Sequence, residues 1–146
     1  MLRPSALRQL LSQVTSGTIQ ATILATKSGE FLDYVIKNEN PQFNVKNVCA
    51  IICSVYQSFQ KFSVPLSDNL NYLIVDCEMY RLAIRPVGNH LVCICADSNT
   101  GLGILKLKLN SLSDSLSSLL NFAIYCICLF FTFFANKNMF ILKKIC

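Results

Sequence analysis

Histidine occurs once in this chain, at position 90. A lone imidazole leaves no second histidine for a zinc site and offers at most one such base to a nucleophile. The cysteines do not make up the shortage. Their close spacings are Cys49-x3-Cys53, Cys93-x-Cys95 and Cys126-x-Cys128, and no C-x2-C pair occurs. No metal is expected. Phosphate-binding signatures are missing as well: there is no G-x-x-x-x-G-K-[ST] and no G-x-G-x-x-G after a strand-like run. The stretch "TGLGIL" could offer backbone N–H groups to an anion, but a tightly packed helix start explains its two glycines equally well. No cofactor is expected.

Charge of one sign is also scarce in most of the chain. Of the thirteen Lys and Arg residues, Lys137, Lys143 and Lys144 lie beyond Asn121, which leaves ten against all eight Asp and Glu. The formal +5 is therefore largely a property of the tail. A body this close to neutral lacks the clustered basic face that nucleic-acid binding needs, so no nucleic-acid partner is expected.

Eight cysteines are many for 146 residues. The opening "MLRPSALRQLL" does not read as a secretory signal, because Arg8 interrupts it and no long apolar run or small-residue cleavage site follows. Outside an oxidising compartment an even cysteine count does not imply disulfides. Free thiols buried as small hydrophobes are the expectation.

What the chain has in abundance is apolar side chains: 53% hydrophobic residues, with a mean hydropathy of +0.46. One domain is expected at this length. Pro4 sits at a helix start, and Leu7, Leu10, Leu11 and Val14 recur at helical spacing until Gly17. In "TIQATILAT", Ile19, Ala21, Ile23 and Ala25 alternate with Gln20, Thr22, Leu24 and Thr26, the period of a strand. "KSGE" supplies a turn and "FLDYVI" a second strand. After the polar loop "KNENPQFN", Asn44 can cap a helix whose face carries Val45, Val48, Cys49, Ile52, Val55, Tyr56 and Phe59. That stripe is wide. It fits either deep burial or one face on the chain's own core and another on a partner.

Three strand-like runs follow: "LNYLIVDC", "RLAIRPV" and "HLVCICA". Pro86 cannot donate to a ladder and is expected at an edge or bulge. Leu102, Leu105, Leu109, Leu112, Leu116 and Leu119 then step by three and four along a core-packing helix. The order helix, two strands, helix, three strands, helix predicts an α+β sandwich with a five-stranded antiparallel sheet. Between the third and fourth strands lies "DCE". Asp76 and Glu78 read as the polar bend of a hairpin. The competing reading is a thiol enzyme built on Cys77, which would need His90 within hydrogen-bond reach.

Three segments carry a resemblance: "MLRPSALRQLLSQ", "NLNYLIVDCEMYRLAIRPVGNHLVCICA" and "TGLGILKLKLNSLSDSL". They resemble the roadblock/dynein light chain family, and within it the roadblock subunits of Ragulator-type complexes. The resemblance covers residues 1–120, is strongest over 1–35 and 69–120, and is weak across 37–66. It implies the α-β-β-α-β-β-β-α roadblock sandwich with helices on both faces, and a scaffold rather than an enzyme. Family members pair through the central helix and third strand. On this chain the implied partner interface is Val48, Ile52, Val55 and Tyr56, with Leu70, Tyr72, Leu73, Ile74 and Val75. The implied partners are a second roadblock subunit in a heterodimer, a lipidated membrane-anchoring subunit of the complex, and Rag GTPases. The implied place is the cytoplasmic face of late endosomes and lysosomes, with membrane association indirect, and the implied role is support of mTOR and MAPK signalling. A dynein light-chain-type adaptor binding motor intermediate chains is the alternative within the family. The "EMY" at residues 78–80 stands where a glycine-containing bend is usual.

The residues independently support a docking role for the third strand. "LNYLIV" has apolar side chains on both faces, and an unpaired apolar edge is an aggregation hazard that wants a partner.

Residues 121–146 form an apolar extension beyond the span of the resemblance. From Leu119 to Ala135 only Asn121 and Thr132 interrupt a clear apolar run. Its length barely reaches the roughly 17–25 residues of a membrane helix. An extension without function, a C-terminal anchor and an extra packed helix are the three readings. No lipidation motif is present: Cys146 is terminal and position 2 is Leu2.

Overall fold

The computed structural model describes residues 4–38, 43–63 and 70–135, from 122 onward as backbone only. The described residues form α1 (Pro4–Val14), β1 (Ile19–Thr26), β2 (Phe31–Ile36), α2 (Val45–Ser63), β3 (Leu73–Asp76), β4 (Tyr80–Val87), β5 (His90–Asp97) and α3 (Leu102–Ala135). The strands make one antiparallel sheet in the order β2-β1-β5-β4-β3. Both faces are covered. On one, α2 packs on Ala21, Ile23, Leu82, Ile84, Leu91, Cys93 and Cys95. On the other, α1 and α3 pack on Leu24, Ala83, Val92, Ile94 and Ala96. This is the expected sandwich.

The central position of β5 explains its unbroken apolar run. Leu91, Cys93 and Cys95 serve one core while Val92, Ile94 and Ala96 serve the other. β1 is also buried on both faces, but its alternation is not the simple one. The register shifts between Ile19 and Ala21, around Gln20. An extra residue in one strand reverses the side-chain alternation beyond it. Ile19 therefore packs with α1 and α3, whereas Ala21, Ile23 and Ala25 pack under α2.

Local chemistry sets the element ends. Asn44 Oδ1 accepts the N–H of Lys46 at 3.0 Å and that of Asn47 at 3.4 Å, capping α2 as expected. Gly88 sits at φ +57 in the turn between Val87 and His90, a backbone region glycine enters without steric cost. Pro86 lies past Ile84, the last residue of β4 that pairs with β3, so that side of β4 is a local edge there.

Two boundaries differ from the sequence reading. The third strand begins at Leu73 rather than Leu70, because Leu70, Asn71 and Tyr72 precede its first ladder pair, Leu73 with Ile84. The last helix does not stop near residue 120 but continues through Asn121 to Ala135. Its inner leucines, Leu105, Leu109, Leu112 and Leu116, are buried, while Leu102 at its start is exposed. Among the described residues no helix is long and apolar enough to cross a membrane. Side chains 122–135 and all of residues 136–146 lie outside the described part of the extension.

Candidate interaction surface

α2 carries two adjacent apolar seams. Val45, Cys49, Ile52 and Tyr56 step by four, three and four and enter the core. Val48, Ile51, Val55, Phe59 and Phe62 step by three, four, four and three and form the neighbouring seam. Val48 and Val55 are half-buried. Ile51 is 51% exposed, Phe59 49% and Phe62 74%. A stripe wider than one helix face can bury is the origin of this second seam: 3.6 residues per turn cannot direct both rows at one sheet.

On the α2 side of the sheet lie Leu73 and Val75, half-buried against the core that α2 covers. Ile74 packs on the opposite core. β3 therefore carries apolar groups on both faces at the border of the sheet. Leu70 contacts the α2-side core from the segment before the strand. Tyr72 belongs to the other side: Lys106 Nζ lies 4.8 Å from the centre of its ring.

The sheet has a second edge, β2, and the two edges are not alike. β2 is distorted by a register shift opposite Leu24 and Ala25. Asp33 Oδ1 accepts the backbone N–H of Tyr34 at 2.8 Å, and the same carboxylate lies 3.8 Å from Arg8 Nε. A bulge and a charged side chain that occupies an edge donor both obstruct strand addition. β3 pairs regularly with β4 over Leu73–Asp76 and shows no register shift. Its only described charge pairing runs inward, where Arg81 donates to Asp76 at 2.7 and 3.1 Å. β3 is thus the open edge.

Two residues of the sequence-derived interface need correction. Ile52 and Tyr56 are 1% and 2% exposed, and both sit in the inner seam beneath the sheet-facing side of α2. They have no surface to give a partner. Burial also pushes the Tyr56 phenol above its ordinary pKa. The exposed large side chains of α2 are instead Ile51, Phe59 and Phe62, in the outer seam. The width of the stripe signals a second face, but spacing alone does not say which row the sheet takes.

The thiols divide sharply. Cys49, Cys53, Cys93 and Cys95 are buried, whereas Cys77 is exposed. Burial pushes Cys53 up to about 11 and Cys95 up to about 12, and raises Cys49 and Cys93 too. Such thiols stay protonated and unreactive near neutrality. Cys77 lies in the bend, with its N–H donating to the Tyr80 carbonyl at 2.8 Å. His90 is at the far end of β4. Seven residue steps at ~3.4 Å separate Tyr80 from Val87, so His90 cannot reach Cys77. The bend is held by the Asp76–Arg81 pair, whose hydrogen bond lowers the pKa of the exposed Asp76 carboxyl. Arg81 also donates to the Thr100 carbonyl at 2.5 Å, tying the bend to the start of α3. Among the described residues no three His, Cys, Asp or Glu side chains gather to hold a metal ion.

No family model matches this sequence. Solved structures do. The MglB protein of Myxococcus xanthus superimposes with a TM-score of 0.72 at 14% identity, covering 82% of this chain and 98% of that one. An MglB described in a tetrameric arrangement gives 0.70 at 17% identity, over 79% of this chain and 88% of that one. A Roadblock/LC7 domain from Streptomyces avermitilis gives 0.67 at 12% identity, over 77% and 95%. At these identities the likeness is one of architecture, and that architecture agrees with the element order, the sheet and the helix placement described above: the chain has the roadblock/LC7 fold.

Proposed function

We propose that this chain is a non-enzymatic roadblock-type adaptor that pairs with a second roadblock subunit through α2 and β3. The observation that carries the reading is an exposed apolar seam on α2, on the same side of the sheet as Leu73 and Val75 of an open, two-faced apolar edge strand. Strand-to-strand addition at β3 would satisfy its outward backbone groups and continue the sheet into the partner. The partner's own α2 would then lie over Ile51, Val55, Phe59 and Phe62. Fully burying a large apolar side chain contributes about 1.5–3 kcal/mol. Ile51, Phe59 and Phe62 begin about half to three-quarters exposed, so the seam offsets only the lower part of an association cost on the order of 4–15 kcal/mol and the β3 edge contributes the rest. The tetrameric arrangement of the MglB neighbour is consistent with a fold that builds assemblies from such surfaces.

Within that reading the chain serves in a Ragulator-like complex. The lipidated subunit anchors the pair to the cytoplasmic face of late endosomes and lysosomes. The assembled complex helps recruit Rag GTPases and supports mTOR and MAPK signalling. The support for this finer assignment is the sequence likeness over residues 1–35 and 69–120. Co-purification tests it. Full-length chain should bring down a Ragulator roadblock subunit, and Phe62→Ser with Val75→Lys should abolish capture while leaving the circular dichroism spectrum unchanged. Capture of a dynein intermediate chain instead would move the chain to the motor-adaptor branch.

A further inference from the structure

At the end of the sheet where β1 starts and β5 stops, a cleft of about 310 Å³ opens on the α2 side. It is lined by Gln20, Ile36, Asn38, Phe43, Met79, Tyr80 and Asp97, and none of the interface residues above takes part. Its polar wall is built with unusual care. Asp97 is fixed by its own backbone: its N–H donates to the Thr18 carbonyl at 3.0 Å and its carbonyl accepts from Thr100 at 2.9 Å. The bulge around Gln20 breaks the regular register of β1. From there Gln20 Nε2 donates to Asp97 Oδ1 at 2.8 Å. Bulges commonly re-aim a side chain in this way.

That hydrogen bond leaves one acceptor oxygen on each of the two side chains. Gln20 has used one amide N–H, and its Oε1 remains as an acceptor. Asp97 has used Oδ1, so Oδ2 remains. Among the described residues neither oxygen has a partner and Asp97 forms no ion pair. Directly across the ladder from Asp97 stands Tyr80, whose ring meets Phe43 edge-on at 5.7 Å between centroids. Met79, 64% exposed, gives a pliant apolar rim.

A half-buried carboxylate without a cation, an amide oxygen and an aromatic wall together specify a ligand. It must be positive, it must donate two hydrogen bonds in one plane, and it must have a flat face for the ring. We infer that this cleft binds a guanidinium group, the arginine side chain of a protein partner. The forked N–H donors meet Asp97 Oδ2 and Gln20 Oε1, and the guanidinium plane lies against Tyr80. An ammonium lacks both the plane and the fork. The inference goes beyond the pairing through α2 and β3 and does not depend on it.

The test is a titration of the isotopically labelled full chain, followed by NMR at the Gln20 side-chain amide. The probes are N-acetyl-arginine methylamide, the lysine analogue and the uncharged citrulline analogue. A saturable shift is expected with arginine, at least fivefold weaker apparent affinity with lysine, and no saturable shift with citrulline. Asp97→Asn should weaken arginine binding at least tenfold. If that variant does not fold, Tyr80→Leu decides by the same criterion. Equal response to citrulline, equal affinity for lysine, unchanged affinity in a folded variant, or no saturable arginine shift overturns the assignment. The titration does not read subunit pairing, so its failure would leave the adaptor reading intact.

Discussion

Ile52 and Phe62 stand on one helix with opposite tasks. Ile52 is enclosed by the sheet, and Phe62 is 74% exposed at the end of the outer seam. Truncating a buried isoleucine to alanine removes its transfer energy and leaves a cavity, so Ile52→Ala should lower unfolding stability by about 2–5 kcal/mol. Phe62→Ser should leave the circular dichroism spectrum unchanged and weaken pairing. Chemical denaturation and a pull-down on both variants separate the two roles. A second prediction concerns the thiols. Cys53 at about 11 and Cys95 at about 12 lie above the ordinary value of 9.0, so the folded state holds their protons more tightly than the unfolded chain does. Their contribution to stability is complete below pH 9 and is lost as pH rises through 11 to 12. The urea midpoint should therefore fall across that window. Of the five described cysteines, iodoacetamide should modify Cys77 alone in the native chain at pH 8.

At the scale of elements, the contrast between the two edge strands is what selects β3 as the docking edge in the proposed pairing. Asp33 occupies the Tyr34 N–H on β2, and nothing comparable guards β3 among the described residues. Removing that guard with Asp33→Thr should open β2 to strand addition, producing concentration-dependent association beyond the dimer in light scattering. Unchanged association would show that the bulge alone suffices. The element order itself is legible in the sequence, because apolar runs bounded by turn residues mark the strands, three-and-four spacing marks the helices, and Asn44 caps α2. Less legible is whatever depends on where neighbouring elements lie. The bulge at Gln20 turns Ile19 to the opposite face, and simple alternation carries no mark of it. The choice between the two seams of α2 belongs to the sheet beneath the helix. Spacing could place Ile52 and Tyr56 on an apolar stripe, but only the packed structure sends them inward and leaves Ile51, Phe59 and Phe62 outside. The continuation of α3 past residue 120 is likewise a matter of context, since no proline or glycine interrupts residues 104–135.

For the molecule as a whole, the proposed pairing makes the chain one half of a larger sheet. Two internal cores are complete, yet the α2 side ends in an apolar row and an open strand that no described element covers. The exposed Cys77 thiol and the lone histidine stand at opposite ends of β4 and cannot act together. The central claim is therefore subunit pairing through α2 and β3. Its most direct test is multi-angle light scattering on the full chain, alone and co-expressed with a second roadblock subunit of a Ragulator complex, repeated with Val75→Lys and Phe62→Ser combined. A one-to-one heterodimer is expected for the unmodified chain, soluble self-association for the chain alone, and loss of the heterodimer in the double variant. A monodisperse monomer that ignores the partner, or a heterodimer indifferent to both substitutions, would contradict it.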